Sequence, residues 1–484
     1  MASDGPKSGF LGNLNQDQEA KLQTLWTVLL KAVETSSQEG LSSHLAEEHP
    51  GPSQPQRRLS LLGRTQSNIS DKGTTGVSSS LYQQKIITYL RGLGIGAHET
   101  KMVQKALSDI TPVELQKGIL DTLKHDHPDA MLLRFLRARK WDVPKAFAMM
   151  MDSIVWRVKE MHVDDDLLAK GELHALKQSQ NTADVAEQKA GKDFLAQMRM
   201  GKSYVHGTDK LGRPIVVIRV QLHKPGAQSE ETLERYIVHV IESVRLTLTP
   251  PVETAAVVFD MTGFSLSNME YPPVKFILKC FEANYPESLG IMLIHNAPWV
   301  FSGIWRLIRG WMDPDIAAKV NFTNSAADLA KFISRDQLVD DLGGNEKWKY
   351  EYVEPKENEN ALMEDTTTRD ALCREREQIG EEFLTATSKW VEAAKSKKKT
   401  RIQSSESQRA YLAERLRVNH WKLDPYVRAR LCLDRMHVIQ KDGKVDFYPN
   451  DKDNREIKSH EIGKTSDIEH LEIVNEGVTQ ATVS

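Results

Sequence analysis

The feature that most constrains this chain is a series of short, wholly apolar runs separated by helical stretches. Ile215-Val216-Val217-Ile218-Arg219-Val220 is β-branched at nearly every position, and residues 255–259 and 291–294 carry no polar side chain at all. A strand that is apolar on both sides must be covered on both faces. Between these runs, residues 230–248 place Leu233, Ile237, Ile241 and Val244 at helical spacing, and residues 274–285 form a second helical stretch. Apolar strands alternating with helices predict an α/β fold with a mostly parallel, buried sheet. Residues 207–214, Gly-Thr-Asp-Lys-Leu-Gly-Arg-Pro, supply the turn into the first of these strands.

The flanking regions are helical or polar. Residues 11–33 repeat Leu14, Leu22, Leu25, Trp26, Leu29 and Leu30 at helical spacing. Residues 36–80 are rich in Ser, Gly, Gln and Pro and too poor in apolar residues to build a core. Within them, Arg57-Arg58-Leu59-Ser60 and Arg64-Thr65-Gln66-Ser67 resemble basic phosphorylation sites. Residues 81–162 read as helices; Trp141-Asp142-Val143-Pro144 breaks them, and Pro144 suits the first turn of the next helix. An acidic linker follows at 351–365, and residues 367–394 space Leu372, Ile379, Phe383, Ala386, Trp390 and Ala394 in near-heptads. The expected division is an N-terminal helix (1–35), a disordered linker (36–80), a helical subdomain (81–162), an α/β domain (195–349), an acidic linker (350–366), a charged helical tail (367–450) and a polar C-terminus (451–484).

That tail is basic and aromatic, with Lys397-Lys398-Lys399, Arg415, Arg417, Arg428 and Arg430 around Tyr411, Trp421 and Tyr426. Two readings stand: a contact for anionic lipid headgroups, or a solvated helix pair packed on the α/β domain.

Composition excludes more than it selects. The net charge of -3 gives no global field for nucleic acid. The three cysteines, Cys280, Cys373 and Cys432, make neither a disulfide framework nor a zinc spacing, and fit a reducing, cytoplasmic setting. No apolar run approaches the length of a membrane span. Catalytic patterns are missing: Asp260 has Thr262 where a phosphatase-type second acid would stand, and Gly92-Leu93-Gly94-Ile95-Gly96-Ala97 follows no strand. The expectation is a protein that is not an enzyme and needs no metal or cofactor. Residues 298–312 are different in kind. Trp299 precedes a helical face of Phe301, Ile304, Trp305, Ile308, Trp311 and Met312, opposite Arg306 and Arg309. Such a helix either packs on the core or meets a bilayer interface.

Six segments, in order, resemble one family. Residues 132–143 (Leu-Leu-Arg-Phe-Leu-Arg-Ala-Arg-Lys-Trp-Asp-Val) are similar to the N-terminal helical motif of CRAL-TRIO proteins. Asp209-Lys210-Leu211-Gly212-Arg213-Pro214, Asp260-Met261-Thr262-Gly263-Phe264-Ser265, Tyr285-Pro286-Glu287-Ser288-Leu289-Gly290, Ile294-His295-Asn296-Ala297-Pro298 and residues 338–345 resemble the family's later segments. The resemblance spans residues 115–349 and is nearest to fungal phosphatidylinositol transfer proteins of the secretory type.

It implies a CRAL-TRIO lipid-binding fold: a sheet floor, helical walls and a mobile gate helix, preceded by a helical subdomain. The gate would be residues 299–311, meeting a membrane through Trp299, Phe301, Ile304, Trp305, Ile308 and Trp311. The resemblance also implies that Arg139, Glu287 and Lys319 hold the inositol phosphate of a bound phosphatidylinositol, while Ile316 replaces a threonine that assists in relatives. Phosphatidylcholine-exchanging relatives use two tyrosines, a serine and a threonine where this chain has Val205, Val216, Ala255 and Val257. The expected function is therefore exchange of single phosphatidylinositol molecules between membranes without phosphatidylcholine exchange, from a cytoplasmic protein that docks transiently on membrane surfaces. The alternatives are presentation of the lipid to a kinase, and carriage of a sterol or other apolar lipid.

Overall fold

The computed structural model describes residues 8–33 and 74–449. The two phosphorylation-like segments, most of the 36–80 linker and the 451–484 terminus lie outside the described residues.

The sheet has five strands in the order β1 (Ser203–Thr208), β2 (Pro214–Arg219), β3 (Ala255–Asp260), β4 (Leu289–His295) and β5 (Val320–Thr323). β1 runs antiparallel to β2, and every other pair is parallel. Alternation along the strands divides two cores. Val216, Val257, Met292 and Ile294 face one side. Ile215, Val217, Ala256, Val258, Ile291 and Leu293 face the other, where Leu329, Ile333, Leu338 and Leu342 cover them. This two-sided burial is why β2, β3 and β4 read as continuous apolar runs. β1 and β5 were not anticipated; β1 is largely polar in composition, and β5 is four residues long.

An all-helical layer stands beside the sheet. Its helices include Gln16–Val33, Ala97–Asp109, Pro112–Leu123, Pro128–Ala138 and Val143–Val155. Asp142 caps the last of these with Pro144 in its first turn, as the sequence predicts; its carboxylate accepts from Lys145 N at 3.0 Å. Helices Thr366–Lys395 and Lys399–Val427 form a long antiparallel hairpin that packs into this same layer. Trp26, Leu115, Leu132, Phe147, Phe383, Trp390, Leu412 and Leu416 share one core.

The C-terminal hairpin is thus part of the helical layer, and its far end also reaches the α/β domain, where Trp421 joins the same core as Val257 and Met292, followed by Leu431, Leu433 and Val438. Buried Asp129 joins the N-terminal helix to the hairpin: it accepts from Trp26 Nε1 at 2.7 Å and is paired with the guanidinium of Arg409. Arg376, also buried, donates to the carbonyls of Leu120, Lys124 and Leu416 at 2.8–3.0 Å.

Helices Ala169–Gln180 and Val185–Arg199 fill a stretch that the sequence pattern left unassigned. Buried Glu172, on the first of them, accepts from Cys432 N at 3.0 Å and Tyr352 Oη at 2.8 Å, pairs with Arg435, and lies 3.1 Å from His239 Nε2. One carboxylate therefore ties together two helices, the 351–365 segment and the C-terminal region.

Candidate functional site

The interior between sheet and helices holds an apolar chamber. Its space between atoms is about 1600 Å³, counting an open mouth. Val216, Ala255, Val257, Met292 and Ile294 form the floor, and Leu233, Ile237, Ile241 and Val244 of helix Glu230–Arg245 form one wall. All four inward residues expected on that helix line the chamber. Phe301, Trp305 and Ile308 of helix Phe301–Trp311, with Met312 just after it, close it.

That closing helix turns its apolar face inward. Phe301, Ile304 and Ile308 are buried, Trp305 packs edge-on against Phe322 with ring centroids 5.2 Å apart, and Trp311 packs against Tyr271 at 5.6 Å. Of the aromatic residues in the segment, Trp299 alone stands in solvent, 88% exposed; Leu307 and Phe322 are half-exposed. An added Cβ at Gly303 or Gly310 would meet nothing within 4 Å, so packing does not explain either glycine.

Glu287 lies two residues before β4 and Lys319 one before β5, so both stand at the N-terminal edge of the parallel strands. Lys319 Nζ lies 3.5 Å from Glu287 Oε1, each side chain about one-fifth exposed. Arg139 caps the C-terminus of helix Pro128–Ala138 and forms no ion pair with either; its guanidinium donates to Ala138 O at 3.2 Å. It lies at the same edge, since Lys140 Nζ is 3.8 Å from Asp315, four residues before Lys319. The structure thus joins two of the three expected headgroup residues directly and leaves the third unpaired with them.

Backbone conformation marks the same edge. Lys140, Trp141 and Glu287 all have positive φ, between 50° and 65°. A non-glycine residue there costs on the order of 1 kcal/mol or more, and such residues concentrate at ligand sites. Ile316 is buried in the apolar core beside the site and offers no hydrogen bond. Val205 and Val216 are direct partners across β1 and β2, and Val216 in turn faces Val257 on β3. With Ala255 they make a patch without any side-chain donor or aromatic face.

Sequence reasoning missed a polar cluster in the chamber wall at the other end of the strands. Lys202 Nζ lies 3.1 Å from His223 Nδ1, and His223 Nε2 lies 2.8 Å from Glu270 Oε2. All three residues line the chamber. They are separated by 21 and 47 positions in the chain, and no local pattern links them.

Residues 198–344 match the family model of the CRAL/TRIO domain, and residues 99–152 match that of the CRAL/TRIO N-terminal domain. A CRAL-TRIO domain-containing protein of Schizosaccharomyces pombe is 35% identical over 94% of this chain and 97% of its own length. The phosphatidylinositol transfer protein CSR1 of Eremothecium gossypii is 39% identical over 68% of this chain and 72% of its own.

Proposed function

The chain belongs to the CRAL-TRIO family of lipid-binding proteins, and from that premise we propose that it carries phosphatidylinositol, exchanging single molecules between membranes through a gated apolar chamber. The observation that supports this reading best is the Glu287–Lys319 pair at the N-terminal edge of the strands that floor the chamber, the edge at which Arg139 also lies. A phosphodiester is bound by an ammonium and a guanidinium, and inositol hydroxyls by a carboxylate. Lys319 and Glu287 pair with each other; a headgroup would separate them and draw in Arg139. The name of the Eremothecium relative agrees with the assignment.

The energetics require a closed carrier. A two-chain phospholipid has about 30 methylenes worth ~0.8 kcal/mol each, so moving it bare through water costs on the order of 20 kcal/mol. The chamber replaces bilayer with an equally apolar surface. Helix Phe301–Trp311 is its gate, and Trp299, already in solvent, is the first residue to reach a membrane interface. The valine and alanine patch on the floor removes the hydrogen bonds a choline phospholipid headgroup would need, so phosphatidylcholine is not exchanged. The protein works from the cytoplasm, docking transiently on membrane surfaces.

Mass spectrometry of lipids that co-purify with the protein tests this. Wild type is expected to carry phosphatidylinositol, and the double variant Arg139→Ala, Lys319→Ala to lose at least nine-tenths of it. Equal phosphatidylinositol in both proteins would sink the headgroup assignment, and a different lipid in wild type would sink the function.

A further inference from the structure

Glu287 and Lys319 mark the N-terminal edge of the parallel strands, and the opposite edge carries the polar cluster. Lys202 precedes β1, and its carbonyl accepts from Arg219 N at 2.8 Å, at the C-terminal end of β2. Six-residue strands separate the two edges by roughly 20 Å. The chamber therefore has two chemically different ends.

The cluster is a built arrangement. Lys202 is 5% exposed, and its ammonium donates to His223 Nδ1. This places the imidazole proton on Nε2, which donates to the Glu270 carboxylate. Asn268 fixes the loop by donating to the carbonyls of Gln221 and His223 at 3.1 and 2.9 Å. Burial pulls Lys202 down to about 8, against the attraction of Glu270. A methionine would fill the same wall without that penalty.

An ammonium has three donors, and Lys202 uses one on a side chain. Glu270 Oε1 accepts no hydrogen bond from the described residues. An anionic head would meet this carboxylate, whereas a hydroxyl can accept from Lys202 and donate to Glu270 without adding charge. We propose that Lys202, His223 and Glu270 form a second, interior subsite that binds the hydroxyl head of an apolar ligand, a sterol or a long-chain alcohol, whose body lies in the chamber. The subsite rests on the chamber being a lipid site, but not on Arg139, Glu287 or Lys319.

Two pairs of intrinsically fluorescent probes test it on the full-length, delipidated protein. One is dehydroergosterol against its acetate ester; the other is cis-parinaryl alcohol against cis-parinaric acid. Binding is read by energy transfer from tryptophan. In at least one pair the free hydroxyl is expected to bind tenfold or more tightly than its partner, the range of a hydrogen bond to a charged group. Preference in the first pair identifies a sterol, in the second a long-chain alcohol. Lys202→Met is expected to bring the ratio close to one. Glu270→Gln, at a more exposed position, is expected to reduce it and decides the matter if the lysine variant does not fold. No preference in either pair, tighter binding of the acid, or a preference that survives substitution would overturn the subsite. Failure of the phosphatidylinositol reading shows separately, in the co-purified lipid.

Discussion

Glu172 shows what a single residue does in this fold. Burial opposes its ionisation, yet the hydrogen bond and charge of His239, the charge of Arg435 and the Cys432 amide together hold its carboxyl at about 2. Because the folded form binds a proton less readily than the unfolded chain, the group's contribution is complete above about pH 4.5 and is lost as pH falls toward 2. The loss is on the order of 3 kcal/mol. Urea midpoints measured from pH 6 to pH 3 are expected to fall more steeply for wild type than for Glu172→Gln. Parallel curves would mean that other carboxylates dominate acid unfolding. Site residues are the hardest to see in a sequence. Only family resemblance points to Arg139, Glu287 and Lys319 as the proposed headgroup residues, since nothing near any of them forecasts the others. Lys202, His223 and Glu270 carried no such signal and appear only once a turn, a loop and a strand end have been folded together.

At the scale of elements, legibility follows two-sided burial and amphipathic spacing. β3 and β4 were visible because both their faces are covered; β5 was not, because four residues leave no pattern to count. The helix Phe301–Trp311 was visible from its apolar face, although sequence alone could not tell whether that face met protein or membrane. In the folded chain it meets the chamber. Gly303 and Gly310 then matter for motion. Each costs the helix about 1 kcal/mol relative to alanine, and neither position is crowded. The double variant Gly303→Ala, Gly310→Ala is expected to stiffen the helix, leave the fold intact and slow phosphatidylinositol transfer between vesicles several-fold. Unchanged transfer would show that the proposed gate does not open by deforming at these glycines.

At the scale of the whole molecule, the N-terminal helix Gln16–Val33 and the C-terminal hairpin meet in the helical layer. The near-heptads in residues 367–394 announced a packed face but not its partner, which is formed by residues more than two hundred positions earlier, such as Leu120 and Trp26. Asp129→Asn leaves the Arg409 guanidinium buried without its counter-charge and is expected to cost about 3–5 kcal/mol in denaturant unfolding. A cost below about 1 kcal/mol would mean that the layer is held by apolar packing alone.

The Asp129–Arg409 bond also sets a clock. Its partners are 280 residues apart. At the roughly 5–20 residues per second of ribosomal synthesis, Asp129 is made some 15–55 s before the arginine that neutralises it. Throughout that interval the carboxylate can be buried only at the cost of an unpaired charge. The first layer to leave the ribosome therefore cannot close on its own, and the nascent protein waits, with its N-terminal helices unsealed, for its C-terminal hairpin to arrive.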